Sequence, residues 1–142
     1  MTSQPLRSLA LDRVLSEDDP YRALIGYGFA PEADGRVAVT LALGPQHCNR
    51  AGYVHGGIAP ALLTVAGALA IYRVDATVTF ANNTAMNLAY LRTAQRGALS
   101  TVAEVEQLGG NLAHVSMRLL LDGGECLCTA QAVYRLRRET KA

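Results

Sequence analysis

The sequence predicts an α+β domain in which one antiparallel sheet wraps around a single long, buried helix. Three observations lead there. Ile58 to Ile71 is a run without a charge, set directly behind the glycine pair Gly56-Gly57. The segments on either side of it alternate apolar and polar residues with a period of two, the pattern of half-buried strands. The last links between those segments, Gly109-Gly110 and Asp122-Gly123-Gly124, are short glycine-rich turns of the kind that join antiparallel neighbours.

In chain order, Ser8–Leu15 and Pro20–Ile25 read as short helices before a turn marked by Gly26 and Gly28. Arg36–Leu43 then alternates, with Val37, Val39, Leu41 and Leu43 on one face, and pairs through Ala33-Asp34-Gly35 with the segment Tyr27–Pro31. A loop over Asn49–Gly57 leads into the helix. There Ile58, Leu62, Val65, Ala66 and Leu69 form one apolar stripe, and the opposite side also lacks charge; a helix apolar all round is a buried helix. Asp75–Phe80 and Thr84–Leu91 read as two strands, followed by Leu99–Gln107, Leu112–Leu121 and Cys126–Leu136. The expected organisation is a single domain over 1–142, with a helical segment over 1–25 and the sheet-and-helix core over 26–138.

Composition limits the function classes. Half of the 142 residues are apolar and 18% are charged, as in a globular domain with a real core. A net charge of +1 gives no electrostatic reason to expect nucleic acid or an acidic membrane. Met1–Ser8 lacks the apolar core of a secretion signal, and the uncharged run Ala51–Tyr72 holds only about 14 apolar positions in sequence, too few to span a bilayer. Three cysteines make no disulfide framework, so the expected location is the cytoplasm. His47, Cys48 and His55 lack the spacing of a metal site, and no metal is expected.

The most chemically pointed stretch is His47-Cys48-Asn49-Arg50-Ala51-Gly52-Tyr53-Val54-His55-Gly56-Gly57. The first turn of a helix leaves backbone N–H groups unpaired, and the macrodipole adds partial positive charge there. Glycines at that point let a ligand's carbonyl approach the donors closely. The stretch therefore reads as a backbone oxyanion hole, with Gly57 or Gly56 supplying a free N–H.

The pattern Asn-x-x-Gly-x-x-His-Gly-Gly, followed by a buried helix and the strand Asn87-Leu88-Ala89-Tyr90-Leu91-Arg92, resembles the hotdog-fold acyl-CoA thioesterases of the phenylacetic acid degradation (PaaI) type. The resemblance covers about Arg36 to Arg137. It implies a homodimer, paired further into a dimer of dimers (a homotetramer), that hydrolyses acyl-CoA thioesters. Coenzyme A enters only as part of the substrate and no other cofactor is implied. By the same resemblance Asn49 holds or polarises the attacking water or the thioester, His55 orients the loop, and Gly56 and Gly57 polarise the thioester carbonyl. Asn83 matches a small polar residue that assists in some members. The family's aspartate or glutamate falls nine residues after the histidine, where this chain has Thr64. That departure predicts hydrolysis that is slow for the family.

Nine residues at about 1.5 Å rise would place Thr64 roughly 13 Å from His55, too far for both to touch one reacting carbonyl. If the two share a site, they come from two chains. The small, uncharged helix face of Pro60, Ala61, Thr64, Gly67 and Ala68 suits a helix meeting its two-fold mate. Arg50, Arg92 and Arg96 could reach CoA phosphates, or simply form a solvated face. Each site residue has a plainer reading beside the functional one. Gly56 and Gly57 could allow close packing, Asn49 could bond its own turn, and His55 could cap the helix. Thr64 could bond the carbonyl four residues back. The competing function class is a protein that binds an acyl-CoA or aromatic ligand without turning it over; a dehydratase would need a histidine-plus-acid pair the helix lacks.

Overall fold

The computed structural model describes residues 8–139, so the part of the expected N-terminal segment before Ser8 lies outside it. Two short helices come first, α1 (Leu9–Ser16) and α2 (Pro20–Ile25). Each has its own start signal. The Ser8 hydroxyl accepts from the Leu11 N–H, and the Asp19 carboxylate accepts from the Tyr21 and Arg22 N–H groups with Pro20 in the first turn. Gly26 ends α2 in the left-handed region, φ 88°, where glycine carries no steric penalty.

The hairpin β1 (Gly28–Pro31) and β2 (Val37–Ala42) pairs as expected, Phe29 opposite Val39. A short 3₁₀ turn, Pro45–His47, precedes the loop, and α3 runs from Ile58 to Val74. Then follow β3 (Val78–Tyr90), β4 (Ala98–Leu108), β5 (Leu112–Leu121) and β6 (Glu125–Arg138). All neighbours are antiparallel in one six-stranded sheet of order β1-β2-β4-β5-β6-β3. The chain thus leaves β2, crosses through α3 to the far edge, and returns by way of β4. That crossover lays α3 against one face of the sheet, in contact with β2 through β6.

The alternation read from sequence fixes which side of each strand meets α3. Ala113, Val115, Met117 and Leu119 of β5, and Cys128, Ala130, Ala132, Tyr134 and Leu136 of β6, are buried, while His114, Arg118, Gln131 and Arg135 are exposed. From α3 come Ile58, Leu62, Leu63, Ala66, Leu69, Ile71 and Tyr72.

Three expectations need correction. The two strands expected between Asp75 and Leu91 are one continuous strand, β3. The polar run Asn82-Asn83-Thr84 is a bulge rather than a break, because the Asn83 amide donates to the carbonyls of Ala85 and Val133 and bridges the irregular register. The helix is not wholly buried in the single chain: it extends to Val74, and Pro60, Ala61, Thr64, Val65 and Ala68 are half-buried. Gly67 does not share that outer face. It lies buried against the sheet, where a β-carbon would stand 2.2 Å from the Tyr134 hydroxyl. At the other edge from β1, the thirteen residues of β3 pair on one side only among the described residues.

Candidate active site

The loop before α3 is held by its own backbone. Asn49 N–H donates to the Tyr53 carbonyl at 2.7 Å, Gly52 N–H to the Asn49 carbonyl at 3.0 Å, and Cys48 and Val54 form an isolated bridge. His55 N–H reaches the His47 carbonyl at 2.8 Å, and Val54 N–H reaches the Ala94 carbonyl at 2.8 Å, which ties the loop to the segment after β3. Buried His47 anchors the whole: its Nδ1 accepts from Gly44 N–H and its Nε2 lies 2.6 Å from the Ile25 carbonyl at the end of α2. With both ring nitrogens engaged, His47 has a structural task. Among the described residues no cluster of His, Cys, Asp and Glu could hold a metal.

Asn49 divides its functions between two atoms. Its Oδ1 accepts from the Ala51 and Tyr53 N–H groups at 3.0 and 3.2 Å, an Asx-type turn. Its Nδ2 has no partner among the described residues and sits on an exposed residue. The turn bond therefore leaves a donor aimed outward, one that can hold a water or carbonyl oxygen but cannot remove a proton.

At the glycine pair the two N–H groups differ. Gly57 N–H is not free: it donates to His55 Nδ1 at 2.9 Å, because the histidine ring folds back over the residue that caps α3. Accepting at Nδ1 puts the neutral ring's proton on Nε2. The His55 carbonyl accepts from Ile58 N–H at 3.0 Å and the Gly56 carbonyl accepts from the Tyr90 hydroxyl at 2.6 Å. The Gly56 N–H has no partner among the described residues, and His55, Gly56 and Gly57 are all exposed.

Thr64 sits elsewhere in the same chain. Because α3 begins only at Ile58, helical rise applies to six of the nine residues, about 9 Å along the axis. Its hydroxyl bonds no partner among the described residues, so it does not take the carbonyl four residues back. The Thr64 carbonyl does accept from Tyr134 at 2.8 Å. Thr64 lines a cleft of about 440 Å³ between α3 and the N-terminal helices, with Val14, Tyr27, Phe29, Tyr72 and Phe80 among its walls. The Tyr72 hydroxyl accepts from Ala81 N–H at 2.9 Å, and burial raises the pKa of both Tyr72 and Tyr27, which keeps them neutral.

Asn83 is not brought to the loop within one chain. Seven residues of extended strand, about 23 Å, separate it from Tyr90, and its amide is engaged at the bulge. The arginines split. Arg92 pairs with Glu125 at 2.8 Å, whereas Arg50 and Arg96 are exposed and unpaired among the described residues. Cys128 is buried, which raises its thiol pKa and removes it as a nucleophile. The residue that sequence reasoning missed as part of the site is Tyr90. An exposed tyrosine at a strand end carries no signal of its own until the strand is placed beside Gly56.

A single antiparallel sheet packed on one long central helix, with a glycine loop at the helix start, defines the hotdog class. The family model of the thioesterase superfamily matches residues 51–128, and the chain belongs to that family. No curated protein matches it. Among solved structures, the BH2602 protein of Bacillus halodurans, crystallised with CoA, is 24% identical over 92% of this chain and 90% of its own, with a TM-score of 0.80. A mutant thioesterase of Pseudomonas aeruginosa is 22% identical over 97% of this chain and 98% of its own, TM-score 0.77. A putative thioesterase of Ralstonia eutropha, described as related to phenylacetic acid degradation, is 24% identical over 89% and 98%, TM-score 0.74. At these identities the likeness is one of fold. Among the described residues no helix is long and apolar enough to cross a membrane.

Proposed function

We propose that the protein is an acyl-CoA thioesterase acting on a small aromatic or medium-chain acyl group, at a site completed by a second copy of the chain. The observation that carries this is the Gly56 N–H, a donor without a partner among the described residues, set between peptide groups that are engaged. A thioester carbonyl accepting from it would have its developing negative charge stabilised during attack. Asn49 Nδ2 holds the attacking water by its oxygen. The water oxygen bonds to the carbonyl carbon, its proton passes to solvent, and the C–S bond breaks to release CoA thiolate and the acid. Thr64 of the second copy places the water without deprotonating it, and Asn83 assists from the same edge. Arg50, Arg92 and Arg96 serve the CoA phosphates, Arg92 by exchanging Glu125 for phosphate.

The acyl group is assigned to the cleft at Thr64, whose volume and aromatic walls suit a ring or a medium chain. The half-buried, uncharged outer face of α3 and the long unpaired edge of β3 support a homodimer, assembled further into a dimer of dimers. The CoA in the Bacillus halodurans neighbour supports the ligand class, and the Ralstonia eutropha neighbour supports the PaaI-type branch. The reading keeps the cytoplasmic location expected from the sequence, and the mechanism uses no metal or further cofactor.

Steady-state hydrolysis of a panel of acyl-CoAs, read by release of free thiol, tests the proposal. The expected result is slow but saturable turnover that favours aromatic and medium-chain acyl groups. One observation, the hydroxyl at position 64 in place of a carboxylate, favours a second reading, a non-hydrolytic acyl-CoA binder. Tight binding across the panel with no thiol released would establish it.

A further inference from the structure

We infer that Tyr90 is a positioning residue: its hydroxyl locks the Gly56–Gly57 peptide so that the loop presents a donor, not an acceptor, to a bound carbonyl. A trans peptide unit is planar, with its C=O and N–H pointing in opposite directions. In this unit both ends are held, the Gly56 carbonyl by the Tyr90 hydroxyl at 2.6 Å and the Gly57 N–H by His55 Nδ1 at 2.9 Å.

The lock is needed because of the residues it acts on. Two successive glycines have no β-carbon to resist rotation about the bonds flanking their shared peptide. A turn of that peptide would swing the Gly56 carbonyl toward the side where Gly56 N–H is offered, and its lone pairs would repel the oxygen of a thioester. Burial does not force the contact, since Tyr90 is 57% exposed and its hydroxyl could be satisfied by water. The strand end that carries it is nevertheless fixed: Leu91 and Arg92 both donate their N–H to the Leu127 carbonyl, at 2.8 and 3.2 Å. Gly56 in turn lies in ordinary contact with the Tyr90 ring, a β-carbon there being 3.7 Å from its hydroxyl. An anchored strand thus reaches across to hold a peptide that its own glycines leave free to turn.

The inference rests on the proposal that a thioester carbonyl meets Gly56 N–H, and its test separates the two. The probe is a ketone analogue of an aromatic acyl-CoA, with a methylene in place of sulfur and ¹³C at the carbonyl. Its infrared stretch when bound reports polarisation whether or not the protein hydrolyses anything. In the wild-type protein the stretch moves to lower frequency; in Tyr90→Phe that shift is largely lost. Turnover of the matching thioester falls about tenfold through kcat, the loss expected from one neutral hydrogen bond, with KM within twofold. In the ligand-free variant the Gly57 amide nitrogen, bonded to the Gly56 carbonyl carbon, shifts in the NMR spectrum while the thermal midpoint stays in place. A wild-type protein that polarises the ketone but releases no thiol would end the hydrolysis proposal and leave Tyr90 in its place. A Tyr90→Phe variant with the wild-type carbonyl shift, or a change in KM alone, overturns the inference. So does a wild-type protein that leaves the ketone unpolarised.

Discussion

The buried Tyr134 hydroxyl fills the space that a side chain at Gly67 would need, and from there it donates to the Thr64 carbonyl at 2.8 Å. One tyrosine on β6 thereby sets both how closely α3 approaches the sheet and where Thr64 sits. Burial pushes the Tyr134 phenol's pKa up, so it stays a donor across the physiological range. Gly67→Ala should cost about 1–3 kcal/mol, as overpacking does, and Tyr134→Phe about 1 kcal/mol for the lost bond. The two should not add, because removing the hydroxyl relieves part of the clash. Urea midpoints for both single variants and the double variant check this; strict additivity would mean that the contact is not shared.

The glycine pair gives a second test. A β-carbon on Gly57 would stand 3.1 Å from His55 Nδ1, closer than normal contact, so Gly57→Val displaces the ring and unlocks the loop. Activity should fall about 10²–10³-fold, the usual loss when an oxyanion donor is misplaced. The residues involved are exposed, so the thermal midpoint should move little. Undiminished turnover would put the site elsewhere.

How much of this was legible in the sequence follows from which forces write a periodic pattern. The helix, the strands and their buried faces were legible because one-sided burial imposes periods of two and 3.6. The break expected between Phe80 and Thr84 is a bulge instead, because the side-chain bond that bridges it depends on β6, fifty residues away. Gly67 was placed on the wrong face for a similar reason. In a helix without a single charge before Arg73 nothing in the composition marks the inner side, and only the arrival of Tyr134 decides it. At the site, the motif located the loop, but not which N–H is free. That depended on the His55 ring folding back to accept from Gly57 N–H, and a ring's direction leaves no spacing to read.

Stability should depend on pH through a corner far from the site. Arg138 joins the Asp75 carboxylate and the Thr77 hydroxyl, and also donates to the carbonyls of Gly109 and Gly110, so it pins the end of β6 to two turns. The Arg138 bond, helped by Thr77, holds Asp75 below the usual carboxylate range. A carboxylate whose folded pKa is lowered stabilises fully above its unfolded value, about 3.9, and loses that contribution as pH falls toward the folded value. Asp75→Asn should therefore cost on the order of 1–2 kcal/mol at neutral pH, between an exposed and a buried pair, and nothing in strong acid. Unfolding curves for both proteins from pH 7 to pH 2 should converge; a constant gap would mean that the charge is irrelevant.

Thr64 decides between enzyme and binder. Its hydroxyl is unengaged among the described residues and opens on the cleft, so a carboxylate built there would have room without breaking a bond. Threonine keeps its proton near neutral pH, whereas a carboxylate can take one from water, help worth typically 10²–10⁴-fold. Thr64→Asp should raise turnover by at least about tenfold, the low end being set by how well the new acid ionises among Val65, Tyr72 and Phe80. Burial raises an acid's pKa, so the gain should grow as pH rises through that value and should be absent below it. Tyr134 holds the backbone of position 64 in either variant, which keeps the comparison to the side chain alone. Measuring kcat for both proteins from pH 5 to pH 9 settles the matter. A gain that follows one ionisation identifies position 64 as the point where water is activated. No gain at any pH, beside a wild-type rate already in the ordinary enzymatic range, would assign the base to another residue.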